Sequence, residues 1–501
     1  MKFLFPTPGF PKGIRRDFFN LVTGIIFLGL MLSAVYLWHG IADKHYVVHG
    51  SDSYYYAALA DGYSEYGTLM NMGVDPAEPP HTLQNGVAAC HLLMNRLNIP
   101  LSNTLILLSI LHYVAWISAA YPFSRILVFS GIHQRILRAF LLAGFIGSGW
   151  ILRYQISPST DGIFHAGFFW LLFLLLRNAR YAEQESSSTS GRWRLRTSWC
   201  MALILSGVCI HFSIRLLVVP VSFLLAALAL RRRQLRVIGM PLACIVVSLL
   251  SQFMGFLAID TTKIFEDSSG MFFRNLWDSL QWIGPVVMTQ HAVAFHGWGS
   301  HLAAASLLLF LVASIWRGWR NENVSVVTVV ILILVSFPAF VLSLPPGIVM
   351  DAGPRYVVYT MPLIWLLLAQ VKATRPIAIL LIVIDIARSC MMMYIGSTSR
   401  DKHAFFAYLH KKPLRVPEHV TFQSQHPRQT YALISGRHRV DLCEGLLEET
   451  VLWVAGDRDY QEDVRQSLLD CGYEVVTKRL LSVDYHDNSG YSIQEWVLAL
   501  R

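Results

Sequence analysis

The sequence is short of charge. Asp, Glu, Lys and Arg make up 15% of its 501 residues, against 54% apolar residues and a mean hydropathy of +0.46. A soluble domain carries about 25% charged residues, so this shortage excludes an ordinary soluble domain and leaves a multi-pass membrane protein. Cysteine is scarce too. Its seven residues are scattered, with no CxxC or Cys/His spacing, so neither a zinc site nor a thioredoxin-like redox pair is indicated. No internal repeat of fixed period is found, which weighs against transporters built from inverted repeats. The net charge of +9 lies in short Lys and Arg clusters between apolar segments. That pattern sets membrane orientation and gives no reason to expect nucleic acid as a partner.

What is there is a series of long apolar runs. A hydrocarbon core of about 30 Å needs roughly 20 apolar helical residues. On that rule eleven spans are expected, at 19–38, 101–121, 137–153, 162–177, 197–214, 216–230, 237–258, 298–316, 325–344, 355–371 and 376–394. Lys2, Lys12, Arg15 and Arg16 precede the first run without a small-residue cleavage site, the pattern of an uncleaved span with its N-terminus inside. Arg125/Arg135/Arg138, Arg177/Arg180/Arg192/Arg194/Arg196, RRRQLR at 231–236, Arg317/Arg320 and Lys372/Arg375 then all fall on the cytoplasmic side. The stretch 197–230 reads as two short helices or a re-entrant hairpin. The stretch 81–98 reads as an amphipathic helix on the outer surface.

This topology gives the outer face a long first loop (39–100) and everything after about residue 395. The expected fold is therefore an α-helical polytopic domain (1–395) followed by a small extracytoplasmic α/β domain (396–501). The strand-like runs ETVLWVAG, YEVVTKRLL and SIQEWVLAL and the helix-like DYQEDVRQSLLDCG support that division. Cys443 and Cys471 fall in the tail, either as a disulfide in an oxidising compartment or as two free buried thiols.

Ionisable groups at a membrane face are costly and so are functional candidates. Asp52 opens SDSYYYAALADGYSEYG, where the spacing puts Asp52, Tyr55, Tyr56, Leu59 and Tyr63 on one helix face. It reads equally as a helix cap and as a carboxylate that takes a proton from an attacking hydroxyl or amine. Its tyrosines read as a belt at the interface or as walls for a sugar or lipid head group. Asp161, in SPSTDGIF, also suits a helix start, but it shares the membrane face of Asp52. Arg153, Arg215 and Arg355 lie at that face as well. A guanidinium there either snorkels to lipid head groups or makes bidentate phosphate contacts.

Taken in order, an Asp in an aromatic first-loop helix, EPPHTLQNGV (78–87), SPSTDG and RYVVYTMP (355–362) resemble the GT-C glycosyltransferases. The likeness is greatest to the branch of protein O-mannosyltransferases and lipid A aminoarabinose transferases. It implies an inverting transferase that takes a sugar from a polyprenyl-phosphate-linked donor in the bilayer of the cytoplasmic (inner) membrane, with a glycan, lipid or protein as acceptor. Asp52 matches the catalytic base and Asp161 the second acidic position. Arg355 matches the donor-phosphate ligand, for which Arg215 and Arg153 are further candidates, and His81 falls where the PP motif contributes to the cavity, with Tyr55, Tyr56 and Tyr356 as candidate walls. The sequence has PPHT where PPL is commoner, which bears on His81. It lacks the WWD-type motif and the D-x-E pair of oligosaccharyltransferases, so no cofactor is required and a divalent metal is left open. An O-antigen polymerase or ligase and a multi-pass transporter are the alternatives.

Overall fold

The computed structural model describes residues 12–42, 51–72, 74–75, 85–149, 151–152, 161–184, 189–231, 235–254, 298–342, 358–398, 421–425, 438–439, 451–483 and 492–500. Helix α1 spans Lys12–Ala42, and the first loop then holds α2 (Ser51–Tyr66), β1 (Val74–Asp75) and α3 (Gly86–Arg96). After these come α4 (Leu101–Phe129), α5 (Arg135–Gly147), α6 (Asp161–Gln184) and α7 (Thr189–Cys209). A 3-10 turn at Ile214–Leu217 leads into α8 (Val218–Ala229) and α9 (Leu235–Met254). The helical part ends with α10 (Trp298–Arg320), α11 (Val324–Leu342), α12 (Met361–Gln370) and α13 (Arg375–Thr398).

Among the described residues four helical segments are long and apolar enough to cross a membrane: Asn20–Trp38, Asn103–Phe129, Asp161–Tyr181 and Val237–Met254. Shorter apolar helical segments lie at Leu195–Cys209, Ile214–Ala229, Val324–Ser336 and Val358–Gln370. The ambiguous stretch 197–230 consists of two helices, separated by a turn at Ile210–Phe212. Helix α7 starts eight residues before the predicted span because apolarity marks only the part suited to hydrocarbon, while the helix continues through Arg192, Arg194 and Arg196. Large apolar side chains such as Phe27, Leu28, Phe253 and Leu309 are exposed. Such a surface is unfavourable in water and suits lipid.

Two devices pack the helices. Gly29 of α1 lies against α5, where an added Cβ would stand 2.9 Å from Ala143 Cα, so only a small residue permits that approach. An aromatic stack then joins α4, α5 and α6. Phe145 lies 4.1 Å from Trp116 and 4.5 Å from Phe123, with Phe169 edge-on at 5.0 Å. Trp116 Nε1 donates to Phe145 O at 3.2 Å, which satisfies the one polar atom this buried ring carries.

The C-terminal residues form β2 (Thr421–Ser424), β3 (His438–Arg439), β4 (Val451–Gly456), α14 (Arg458–Asp470), β5 (Tyr473–Val483) and β6 (Ser492–Leu500). The sheet has the order β1-β3-β2-β4-β6-β5, parallel from β1 to β4 and antiparallel through β6 and β5. Helix α14 buries Val464 and Leu468 with Leu452, Val454 and Trp496 of the sheet. Asp457 caps it, accepting from Tyr460 N at 2.9 Å. One strand of this sheet, β1, comes from the first loop: Val74 pairs with His438 and Asp75 with Arg439. The first loop and the tail are therefore on the same side of the helices. Cys471 is disulfide-bonded, which decides against a free thiol there; Cys443 lies outside the described residues.

Candidate active site

Asp161 is the first residue of α6 and is fully buried. Arg215 sits in the 3-10 turn after the break between α7 and α8, with only 2% of its surface exposed. Arg215 Nη2 donates to Asp161 Oδ1 at 3.0 Å. The turn itself aims the guanidinium. Ser213 caps it, accepting from Arg215 N at 3.3 Å and from Arg215 Nε at 2.9 Å. Phe164, one helical turn after Asp161, places its ring centroid 4.8 Å from the guanidinium carbon. The carboxylate also lies at a helix N-terminus, where the dipole favours negative charge.

The surroundings of the pair are aromatic and apolar. Tyr359 lies in the turn at Val358–Thr360 that leads into α12, and its ring is 5.5 Å from Phe164, 5.3 Å from His165 and 4.7 Å from Phe168. Tyr359 is thereby packed on α6 beside the ion pair. The first loop reaches the same place. Gly86 N donates to His211 O at 2.9 Å, and Asn85 Oδ1 lies 3.1 Å from His211 Nδ1. His211 Nε2 is 3.0 Å from Ser251 Oγ, which in turn donates to Gly207 O at 2.8 Å. A Cβ at Gly86 would stand 2.9 Å from the Phe212 ring, so the glycine allows α3 to start against the helix break. His91, also on α3, is buried. Burial, with His112 adding to it, pushes its imidazole down to about 4, so it is neutral at pH 7.

Helix α2 begins at Ser51, so Asp52 is its second residue; the side chain of Asp52 lies outside the described part. Tyr55 and Tyr56 are buried in the main core, in edge-to-face contact at 5.6 Å. Tyr54, Ala57, Ala58 and Ala60 are buried too, so α2 is covered on more than the single predicted face. Arg153, Arg355, His81 and Tyr356 lie outside the described residues. Of the candidates, then, the structure unites Asp161 with Arg215. The supporting groups missed by sequence reasoning are Ser213, Phe164, Asn85 and Tyr359. The signal available for two of them was position, with Ser213 two residues before Arg215 and Phe164 one turn after Asp161. Among the described residues no three His, Cys, Asp or Glu side chains converge as metal ligands.

No family model matches the chain, and no curated protein does. Solved structures do. ArnT from Cupriavidus metallidurans in the apo state is 12% identical with a TM-score of 0.53, covering 94% of this chain and 98% of that one. The structure of the same protein bound to undecaprenyl phosphate gives 0.51 over the same shares at 12% identity. The Archaeoglobus fulgidus oligosaccharyltransferase tethered with an acceptor peptide is 10% identical, with a TM-score of 0.50 over 87% of this chain and 69% of that one. The chain has the GT-C fold. At these identities the likeness establishes the fold alone. Its function has to be argued from the site.

Proposed function

We propose that the protein is a glycosyltransferase that moves a sugar from a polyprenyl-phosphate-linked donor to an acceptor at the outer face of the cytoplasmic membrane. The observation that carries this reading is the buried Asp161–Arg215 pair, aimed by Ser213 at the start of α6 and flanked by the first-loop helix in a GT-C fold. The donor class follows by analogy from ArnT, one structure of which holds undecaprenyl phosphate. The reading includes eleven spans with a cytoplasmic N-terminus, and a domain at 396–501 on the outer side.

Asp52 is assigned as general base. It takes the proton of the acceptor hydroxyl or amine as that atom forms its bond to the anomeric carbon. The bond from that carbon to the phosphate oxygen breaks on the opposite face, inverting the centre and releasing polyprenyl phosphate. Arg355, Arg215 and Arg153 stabilise the charge that grows on the departing phosphate. Tyr55, Tyr56, His81 and Tyr356 belong to the cavity wall. Asp161 acts through Arg215. A carboxylate committed to a buried ion pair is a weak base, so it serves as a positioning residue that fixes the guanidinium plane.

Asp52→Asn tests the assignment. Asparagine keeps a side-chain oxygen able to accept from the free N–H groups of a first helical turn, so a structural contact of that kind survives the change while a proton-accepting role does not. The variant is expected to bind a polyprenyl-phosphate sugar normally and to lose transfer by about 100-fold or more. Unimpaired transfer would remove Asp52 as the base.

A further inference from the structure

The opposite end of the same helices carries a second site that the proposed reaction does not use. Arg177 and Arg180 lie 16 and 19 residues along α6 from Asp161, about 24–29 Å away at the helical rise per residue. There the end of α4, the start of α5 and the last turns of α6 enclose a cavity of about 600 Å3. Five arginines line it, Arg125, Arg135, Arg138, Arg177 and Arg180, together with His133; no carboxylate is in the lining. Glu322 belongs to an adjoining cavity that shares Arg180.

Orientation alone calls for basic residues at this face, but it does not call for this arrangement. Arg135 and Arg138 occupy the first turn of α5, which has no acidic residue and whose N-cap, Gln134, makes no side-chain capping bond. Cations are disfavoured at a helix N-terminus, where free N–H groups already present positive charge. Arg138 Nε is shielded from solvent without a hydrogen-bond partner. Aromatic faces back three of the other guanidiniums: Arg180 stands 5.3 Å and Arg125 5.8 Å from the Phe129 ring, and Arg177 stands 5.3 Å from that of Tyr181. Like charges are thus gathered at a helix start with no carboxylate in the lining, and an anion in the cavity offsets their repulsion. Toward the middle of the helices the lining becomes aromatic, with Tyr121, half of it exposed, and buried Phe173 in edge contact at 5.7 Å. An amphiphile with a charged head and an apolar body matches that gradient.

We propose that this cleft binds the phosphate head group of an anionic membrane lipid, with the phosphate among Arg135, Arg138 and Arg177 and the first carbons of the lipid against Tyr121. Basic pockets between helices at a cytoplasmic face are suited to such head groups, and a bidentate guanidinium contact selects phosphate over a zwitterionic surface. The site is separate from donor binding and does not depend on the transferase reading.

The test uses the full chain, purified and stripped of lipid, then offered phosphatidylglycerol and phosphatidylcholine in equal amounts, with retained lipid counted by native mass spectrometry. The wild type is expected to keep one phosphatidylglycerol in preference to phosphatidylcholine. Arg135→Gln/Arg177→Gln should weaken retention by roughly tenfold or more, two charge-assisted contacts being lost. If the double variant no longer melts cooperatively, the single variants carry the test and each should weaken retention several-fold. Equal retention of the two lipids, or unchanged retention in folded variants, overturns the proposal. Displacement of the lipid by micromolar inorganic pyrophosphate would assign the cleft to a soluble phosphate compound and overturn it as well.

Discussion

Removing one member of the Asp161–Arg215 pair should cost far more than removing both. Asp161→Ala leaves a guanidinium that is 2% exposed without its counter-charge, and an uncompensated buried charge costs about 3–5 kcal/mol. What remains cannot offset that loss. The Ser213 contact at 2.9 Å contributes about 1 kcal/mol, and the Phe164 face at 4.8 Å contributes at most about 2 kcal/mol. Both are already present in the wild type. Arg215→Ala should cost slightly less, because the stranded carboxylate keeps the helix dipole of α6, worth about 0.3–1 kcal/mol. Asp161→Leu/Arg215→Met, apolar and of similar volume, should return to within about 1–2 kcal/mol of the wild type. With Asp161→Leu and Arg215→Met as the single variants, each stranding the same partner charge, the double-mutant cycle therefore predicts a favourable coupling of about 3–8 kcal/mol, measured by denaturant unfolding in a fixed detergent with tryptophan fluorescence. Losses that add, with coupling below about 0.5 kcal/mol, would show that the two side chains do not meet and would refute the reasoning.

Other consequences are local. A Cβ at Gly167 would stand 2.5 Å from Cys209 Sγ, so Gly167→Ala should lower stability by about 1–3 kcal/mol, and adding Cys209→Ala should restore part of it in the same unfolding assay. The full chain should shift on a non-reducing gel when reductant is added, Cys471→Ser should abolish that shift, and loss of the disulfide should destabilise the tail by about 2–4 kcal/mol. Burial pushes the Tyr460 phenol up to about 12, so the fold favours its neutral form. Resistance of the tail to proteolysis should hold below about pH 10, where the unfolded phenol ionises, and fall as pH rises from there through about 12. Tyr460→Phe should remove that component of the decline.

Much of the fold was legible because the requirements of a membrane are simple. Apolar length located α4, α6 and α9, and the polar interruption at Asp52 marked the start of α2. Strand-like and helix-like runs located β4, α14, β5 and β6. The sequence reading put Asp161 and Arg215 on the same face but gave them separate tasks. Their pairing spans 54 residues and depends on how the helix break at Ile210–Phe212 turns back onto α6, which no local pattern encodes. Strand β1 was unreadable for another reason. Two residues, Val74 and Asp75, carry no periodicity, and only the edge offered by β3 makes them a strand. The tyrosines of α2 were read as one face of a helix, but tertiary packing covers the helix more widely than its own pattern implies.

The most direct test of the central claim follows a labelled sugar. The purified chain in lipid is given a polyprenyl-phosphate-linked sugar labelled in the sugar, together with lipid, glycan and protein fractions as acceptors. The label is expected to leave the lipid for one of these fractions with inversion at the anomeric carbon, releasing one polyprenyl phosphate per sugar moved. Lipid-linked sugar that stays intact with every acceptor class, or that crosses the membrane unchanged, would contradict the central claim.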